Sequence, residues 1–378
     1  MSSHQRIDYI DNLRIFLTIS VILNHILITY GGPGGWYYRE FETAQLDIPS
    51  LIILVLLTAF HQAYIMGFFF FISGYFSSKS ITSKNTSGFI IQRFLRLGIP
   101  ILLFVYLISP TLRVIFKKII YNQPVNFSSF QIIYQQLDFG YELGPMWFAL
   151  LLLILSILFL PWLLNSRFSK NFQNQPSVGN VLIYAVITGI LTFLVRLVFP
   201  VGYVFQPLNL QIPQVVQYIF AFFIGIVAHQ GNWFDLFDNL FSRSWLYLMI
   251  GLVLLMPVVF ILSGGLEGDV APALGGFHWQ SLAYSLWEQF FCVSMIISGL
   301  HYFKNYANST TSRTQELAKS TYAAYIIHPL VLVSLTTLLS NIKLHPLIKV
   351  SLVFLPAILL SFLTASVLRR IPILNRIL

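Results

Sequence analysis

Residues 6–25 read RIDYIDNLRIFLTISVILNH, and from Leu13 to about Tyr30 the chain is otherwise apolar enough for one membrane-spanning helix. Arg14 and His25 stand eleven positions apart in it. On an α-helix eleven steps amount to about 1100°, three turns plus roughly 20°, with a rise of roughly 16 Å. Both side chains therefore share a face. The guanidinium sits where the helix enters the membrane. The imidazole is carried to about mid-depth, where an ionisable group is costly and usually functional. A cation at the rim and a titratable base deep in the bilayer suit a long anionic donor whose reactive end must reach into the membrane.

The remainder of the chain has the same character. Its 378 residues are 57% hydrophobic and only 9% charged, with a mean hydropathy of +0.76, which excludes a soluble globular protein. Apolar runs at roughly 13–31, 50–76, 96–116, 145–164, 179–200, 213–230, 245–263, 279–302, 320–340 and 346–368 predict about ten spans of the length a bilayer requires. Runs near twenty residues are helices, not barrel strands. The expected fold is an all-α polytopic membrane helix bundle of about ten transmembrane helices, forming a single domain over residues 1–378 with no separate soluble unit. The one cysteine, Cys292, rules out an intrachain disulfide. Asp8, Asp11 and Arg14 interrupt the approach to the first run, and no small-residue cleavage site follows it, so it reads as a retained span and not a signal peptide.

The formal net charge is +9. In these short connections it points to anionic lipid headgroups and a polyanionic cosubstrate, not to nucleic acid. If the amino terminus is cytoplasmic, that face collects fifteen of the 22 basic residues, from Arg6 and Arg14 through Lys84, Arg167 and Lys170 to Arg376. This is the positive-inside pattern, and it places both termini in the cytoplasm. Three connections are long: the Gly-rich GGPGGWYYREFETAQLDIP, the segment from Lys117 to Gly144, and SSKSITSKNTSGFIIQRFLR. The last ends in Arg93 and Arg96, and predicts a short interfacial helix feeding the third span as a phosphate platform.

Six segments in order along nearly the whole chain carry a family resemblance: DYIDNLRIFLTISVILNH, FFFFISGYFSSKS, QRFLRLGIP, GPMWFALLLL, FFIGIVAHQGNWF and STYAAYIIHPLV. Together they resemble the acyltransferase-3 superfamily of multispan membrane proteins, most closely its glucan-succinylating group. The resemblance implies a functional arginine and histidine in the first span, which fall on Arg14 and His25. It also implies transfer of an acyl group from cytoplasmic acyl-CoA to an extracytoplasmic hydroxyl, commonly on a carbohydrate. One departure is Pro145, which stands where many members have a histidine before Met146 and Trp147, so no role of that histidine carries over.

Acyl transfer from a thioester to an alcohol needs a base or a nucleophile, and imidazole serves as either near neutral pH. His25 is the first candidate, against the plainer role of a hydrogen-bonded packing residue. Glu288, within the eighth run, either supports the His25 imidazolium or pairs with Arg196 or Arg113 as structural glue. Arg14, Arg93 and Arg96 are candidates to bind the phosphates of acyl-CoA, with Lys79 adding point charge. Against this, Arg14 can pair with Asp11 one turn away, and topology alone accounts for the other three. Acceptor binding and helix–helix hydrogen bonding fit His61 equally. Trp147 reads as an interface anchor at the start of the fourth run and a candidate contact for substrate. Pro329 frees a carbonyl one turn back that His328 can satisfy, a structural role. Ser73 and Gly74 in FISG mark close helix packing. No CxxC pair, HExxH, GxxxxGK[ST] or GxSxG occurs, and neither a metal nor a permanently bound cofactor is expected.

The expectation is an inner-membrane O-acyltransferase moving an acetyl or succinyl group from acyl-CoA to a hydroxyl of a carbohydrate or glycolipid. The alternative from another class is a carrier or flippase for an anionic solute, built on buried Arg113, Arg196, Glu288 and the histidines; no internal repeat supports it.

Overall fold

The computed structural model describes residues 7–82, 85–119, 127–164, 176–236, 239–265 and 270–377. Arg6, Lys84, Arg167 and Lys170, counted above in the basic face, lie outside these. Among the described residues, eight helices are long and apolar enough to cross a bilayer: α1 (Asp8–Thr29), α2 (Ile48–Thr82), α3 (Thr86–Ile115), α5 (Val178–Arg196), α6 (Ile212–Gln230), α7 (Asn239–Leu262), α9 (Ser312–Leu338) and α10 (Pro346–Leu368). Two further helices fall on the remaining apolar runs. The helix α4 (Gly144–Leu158) is shorter. The helix α8 (Trp279–Tyr306) is long, but it carries Ser281, Ser285, Glu288, Gln289, Ser294 and Ser298, all buried against protein. A helix surrounded by other helices tolerates such residues because its polar groups meet partners, not lipid. The chain is thus an all-α polytopic membrane helix bundle.

The expected interfacial helix is not separate. Asn85 caps α3 by accepting from the Gly88 N–H at 2.8 Å, and the helix then runs on through Arg93 and Arg96 into the membrane. Two wide turns interrupt it, Phe94–Gly98 and Phe104–Ile108. Each stops immediately before a proline, at Ile99-Pro100 and Ser109-Pro110, and in each the residue before the proline bonds the carbonyl five back. A proline lacks the N–H of the regular ladder and its ring crowds the carbonyl four residues earlier, so a wider turn relieves the clash. The first of these turns contains Arg96.

The tightest helix pair is α2 with α6. A side-chain carbon on Gly74 would overlap the Phe222 carbonyl, and one on Gly225 would overlap the Phe71 carbonyl. The two backbones therefore touch through reciprocal glycines, as the FISG string led one to expect. Around them Leu13, Leu17, Phe68, Phe104 and Phe222 form one continuous buried core. Ile7 and Ile377 line the same cavity, so both ends of the described chain lie at one end of the bundle. At the opposite end, a two-stranded antiparallel ribbon pairs Val204–Phe205 with Leu210–Gln211.

Candidate active site

The cavity at the end that holds Ile7 and Ile377 has a volume of about 700 Å³. Arg14, Lys79, Arg93 and Arg96 all line it, against one carboxylate, Asp11. These cations come from three helices, so the structure gathers in space what the sequence only scatters along its basic face. Arg93 donates to Ser77 Oγ at 2.9 Å and its guanidinium lies 4.9 Å from the centre of the Phe89 ring. Arg14 and Asp11 are 3.8 Å apart, at the long limit of an ion pair. Deeper in, the walls become apolar with Phe69, Ile72, Phe148 and Leu152, and the cavity reaches Thr18 and Tyr325. The shape is that of a slot with a polycationic mouth and a greasy throat.

Tyr325 closes that throat. Its hydroxyl donates to the Pro145 carbonyl across the bundle, and its own carbonyl accepts from His328 Nδ1 at 2.6 Å. That carbonyl is the one four residues before Pro329, released because proline has no N–H to offer it. A carbonyl can only accept, so Nδ1 of His328 carries a proton and, in the neutral ring, Nε2 is an acceptor. His25 Nδ1 lies 3.1 Å from this Nε2 and donates to it when it carries the ring proton; the Val21 carbonyl accepts from the same imidazole. With the proton on Nδ1, His25 Nε2 keeps a free lone pair. This is the state a general base or a nucleophile needs.

Arg14 and Thr18 line the cavity with Thr321, Tyr322 and Tyr325 of α9, and His25 meets His328 of the same helix. His25 itself does not line the cavity. Seven residues separate it from Thr18, a rise of about 10 Å, and the rings of Tyr325 and His328 (centroids 5.8 Å apart) stand in between. One face of His25 stacks on Trp36, with ring centroids 3.9 Å apart and planes inclined by 17°.

Other expected site residues lie elsewhere. Glu288 does not meet His25: its carboxylate pairs with Arg196 at 2.5 Å, both groups at most 1% exposed, and Ser285 takes a second bond from Arg196 at 3.1 Å. This is the structural alternative the sequence left open, and the physical reason is reach: the pair joins α8 to α5, whereas His25 faces α9. Arg113 pairs with buried Glu142 at 2.5 Å, a carboxylate that sequence reading passed over. His61 Nδ1 sits 2.8 Å from the Leu57 carbonyl on its own helix. Trp147 packs on Tyr218, ring centroids 5.3 Å apart, and neither residue is in the cavity lining. Tyr325 and Trp36 were missed. Tyr322, Tyr325 and His328 recur every third residue along one ridge of α9, a signal available in the sequence; Trp36 sits in an irregular loop and gave none.

A family model described as an acyltransferase domain matches residues 7–367. The chain belongs to the acyltransferase-3 family. No curated protein matches it, and no solved structure does. For an acyltransferase the arrangement offers a candidate base, His25, behind a cavity with a cationic entrance and an apolar wall. The charges on which a carrier reading relied are engaged otherwise, Arg196 with Glu288 and Arg113 with Glu142.

Proposed function

We propose that this membrane acyltransferase takes an acetyl or succinyl group from cytoplasmic acyl-CoA and delivers it to a hydroxyl of an extracytoplasmic carbohydrate or glycolipid. The protein would sit in the inner membrane with both termini cytoplasmic. The observation that carries this reading is the convergence of Arg14, Lys79, Arg93 and Arg96 on one cavity whose inner end abuts the residues holding His25. Guanidinium groups bind phosphate oxygens by paired hydrogen bonds, which suits the diphosphate and ribose phosphate of coenzyme A. The pantetheine arm would follow the apolar wall, with Tyr325 moving aside to pass the thioester.

At His25 the acceptor hydroxyl gives its proton to Nε2 while its oxygen attacks the thioester carbon. The carbon–sulfur bond then breaks, and the thiolate leaves with the proton that the imidazolium returns. His328 accepts from Nδ1 of His25 and so stabilises the imidazolium as it forms, in the manner of the orienting group of a triad. The resemblance to the glucan-succinylating group supports a glucan hydroxyl as acceptor and succinyl as one of the acyl groups. The test is transfer of labelled acetyl or succinyl from its CoA thioester to glycan or glycolipid in membrane vesicles containing the protein. His25→Ala should lower the rate by at least about 100-fold; a rate within a few-fold of the unaltered protein refutes the assignment.

A further inference from the structure

An acyltransferase that exposes its base to water spends its thioester on hydrolysis. One face of the His25 ring, which is half-buried, is covered by Trp36. Its indole lies against the imidazole at 3.9 Å and is almost parallel to His328 as well, at 5.8 Å and 12°. The indole comes from the loop after α1, and that loop is tied down at several points. Arg39 donates to the carbonyls of Gly34 (2.9 Å) and Gly32 (3.4 Å). Thr43 donates to Gly31 at 2.8 Å, Gln62 of α2 to Pro33 at 3.2 Å, and the Glu40 N–H to Thr29 at 2.8 Å. Lys349 of α10 pairs with Glu40; burial pushes that carboxyl above its ordinary range while Lys349 pulls it back. A tryptophan at a span end usually faces lipid headgroups. This one is turned inward, and its Nε1–H is buried without a hydrogen-bond partner. A buried donor left unpaired is costly unless something supplies an oxygen to it.

We propose that Trp36 is the outer lid of the acyl-transfer site: its ring keeps water from His25, and its indole N–H is held ready for an oxygen of the incoming acceptor. The proposal rests on the reading of His25 as the acyl-transfer base. Without the lid, a water oxygen would attack the thioester carbon, one of its protons passing through His25 Nε2 to the departing sulfur, and free acid and coenzyme A thiol would result. With the lid seated, that reaction is suppressed until a hydroxyl bound at Trp36 replaces water. Trp36 is thereby a residue that selects transfer over hydrolysis.

Two readouts on the full-length protein in vesicles test this. The first is site-resolved carbethoxylation of histidines by diethyl pyrocarbonate, with exposed His278 as internal reference; it requires no activity. Trp36→Ala should raise labelling of His25 relative to His278 by at least about five-fold, whereas Trp36→Phe, which keeps a ring in place, should stay within about two-fold of the unaltered protein. The second is release of coenzyme A thiol from acetyl-CoA and succinyl-CoA with no acceptor added. Trp36→Ala should raise it by about ten-fold or more. Arg39→Ala, which frees the loop without touching the indole, should move both readouts in the same direction and covers the case in which Trp36→Ala fails to fold. Unchanged labelling and unchanged thiol release in Trp36→Ala or, should it not fold, in Arg39→Ala would overturn the lid. Increased His25 labelling with no thioester cleavage by any form would instead support the lid and overturn the acyl-CoA reading on which its role depends.

Discussion

His328 donates through Nδ1 to the carbonyl that Pro329 leaves without a partner, and accepts through Nε2 from His25. The histidine that satisfies the proline-freed carbonyl is thus also the one in contact with His25. Replacing it with alanine should lower kcat by roughly 10- to 100-fold, because His25 loses the partner that fixes its tautomer, while KM for acyl-CoA stays within about two-fold. His328→Gln, which retains a donor and an acceptor, should recover part of the loss. Steady-state kinetics on the two variants distinguishes this from a folding defect, which would reduce active protein equally in both. The buried pair Arg196–Glu288 calls for a different outcome. Each single leucine substitution leaves an unpaired charge and should cost about 3–5 kcal/mol, while the double substitution should recover most of it, as read by thermal unfolding in detergent. That Arg14 and His25 lie on one helix was legible from its fixed period; that only Arg14 lines the cavity was not. The contact between His25 and His328 joins positions 303 apart, and periodicity says nothing across helices. For the same reason Glu288 could be recognised as needing a partner, but Arg196 could not be preferred to His25 as that partner.

Among the elements, run length and apolarity located the helices well because the bilayer sets their length and no water is present to satisfy a broken backbone. The exceptions have local causes. The polar side chains of α8 reduce its apolarity without shortening it, since they are turned toward other helices. The wide turns of α3 come from Pro100 and Pro110, whose presence was visible although its geometric result was not. Packing between α2 and α6 depends on Gly74 and Gly225, each against the other helix's backbone. Gly225→Val should therefore force the helices apart and lower stability by about 1–3 kcal/mol, more than the same change at Gly251 of α7, which has open space around it. Comparison of the two variants by thermal unfolding checks this.

At the scale of the whole molecule, the bundle brings basic residues from three helices to one entrance and places a titratable pair beyond it. The cavity could not be read from the sequence, since the tertiary arrangement of α1, α2, α3, α4 and α9 creates it. Lysines and arginines on a basic face also have the same composition whether they bind lipid or coenzyme. Substitution of Arg93 or Arg96 by alanine should raise KM for acyl-CoA by about ten-fold each, equivalent to about 1.4 kcal/mol, with little change in kcat. Arg243, basic but not among the cavity residues, should have no such effect. The claim most in need of trial is that a donor entering this cavity reacts at His25. Single-turnover transfer of a labelled acyl group from acyl-CoA, measured in the same membranes for the unaltered protein and His25→Ala, addresses it directly. The account requires rapid transfer in the first and a rate slower by at least about 100-fold in the second with acyl-CoA binding retained; equal rates in both would contradict it.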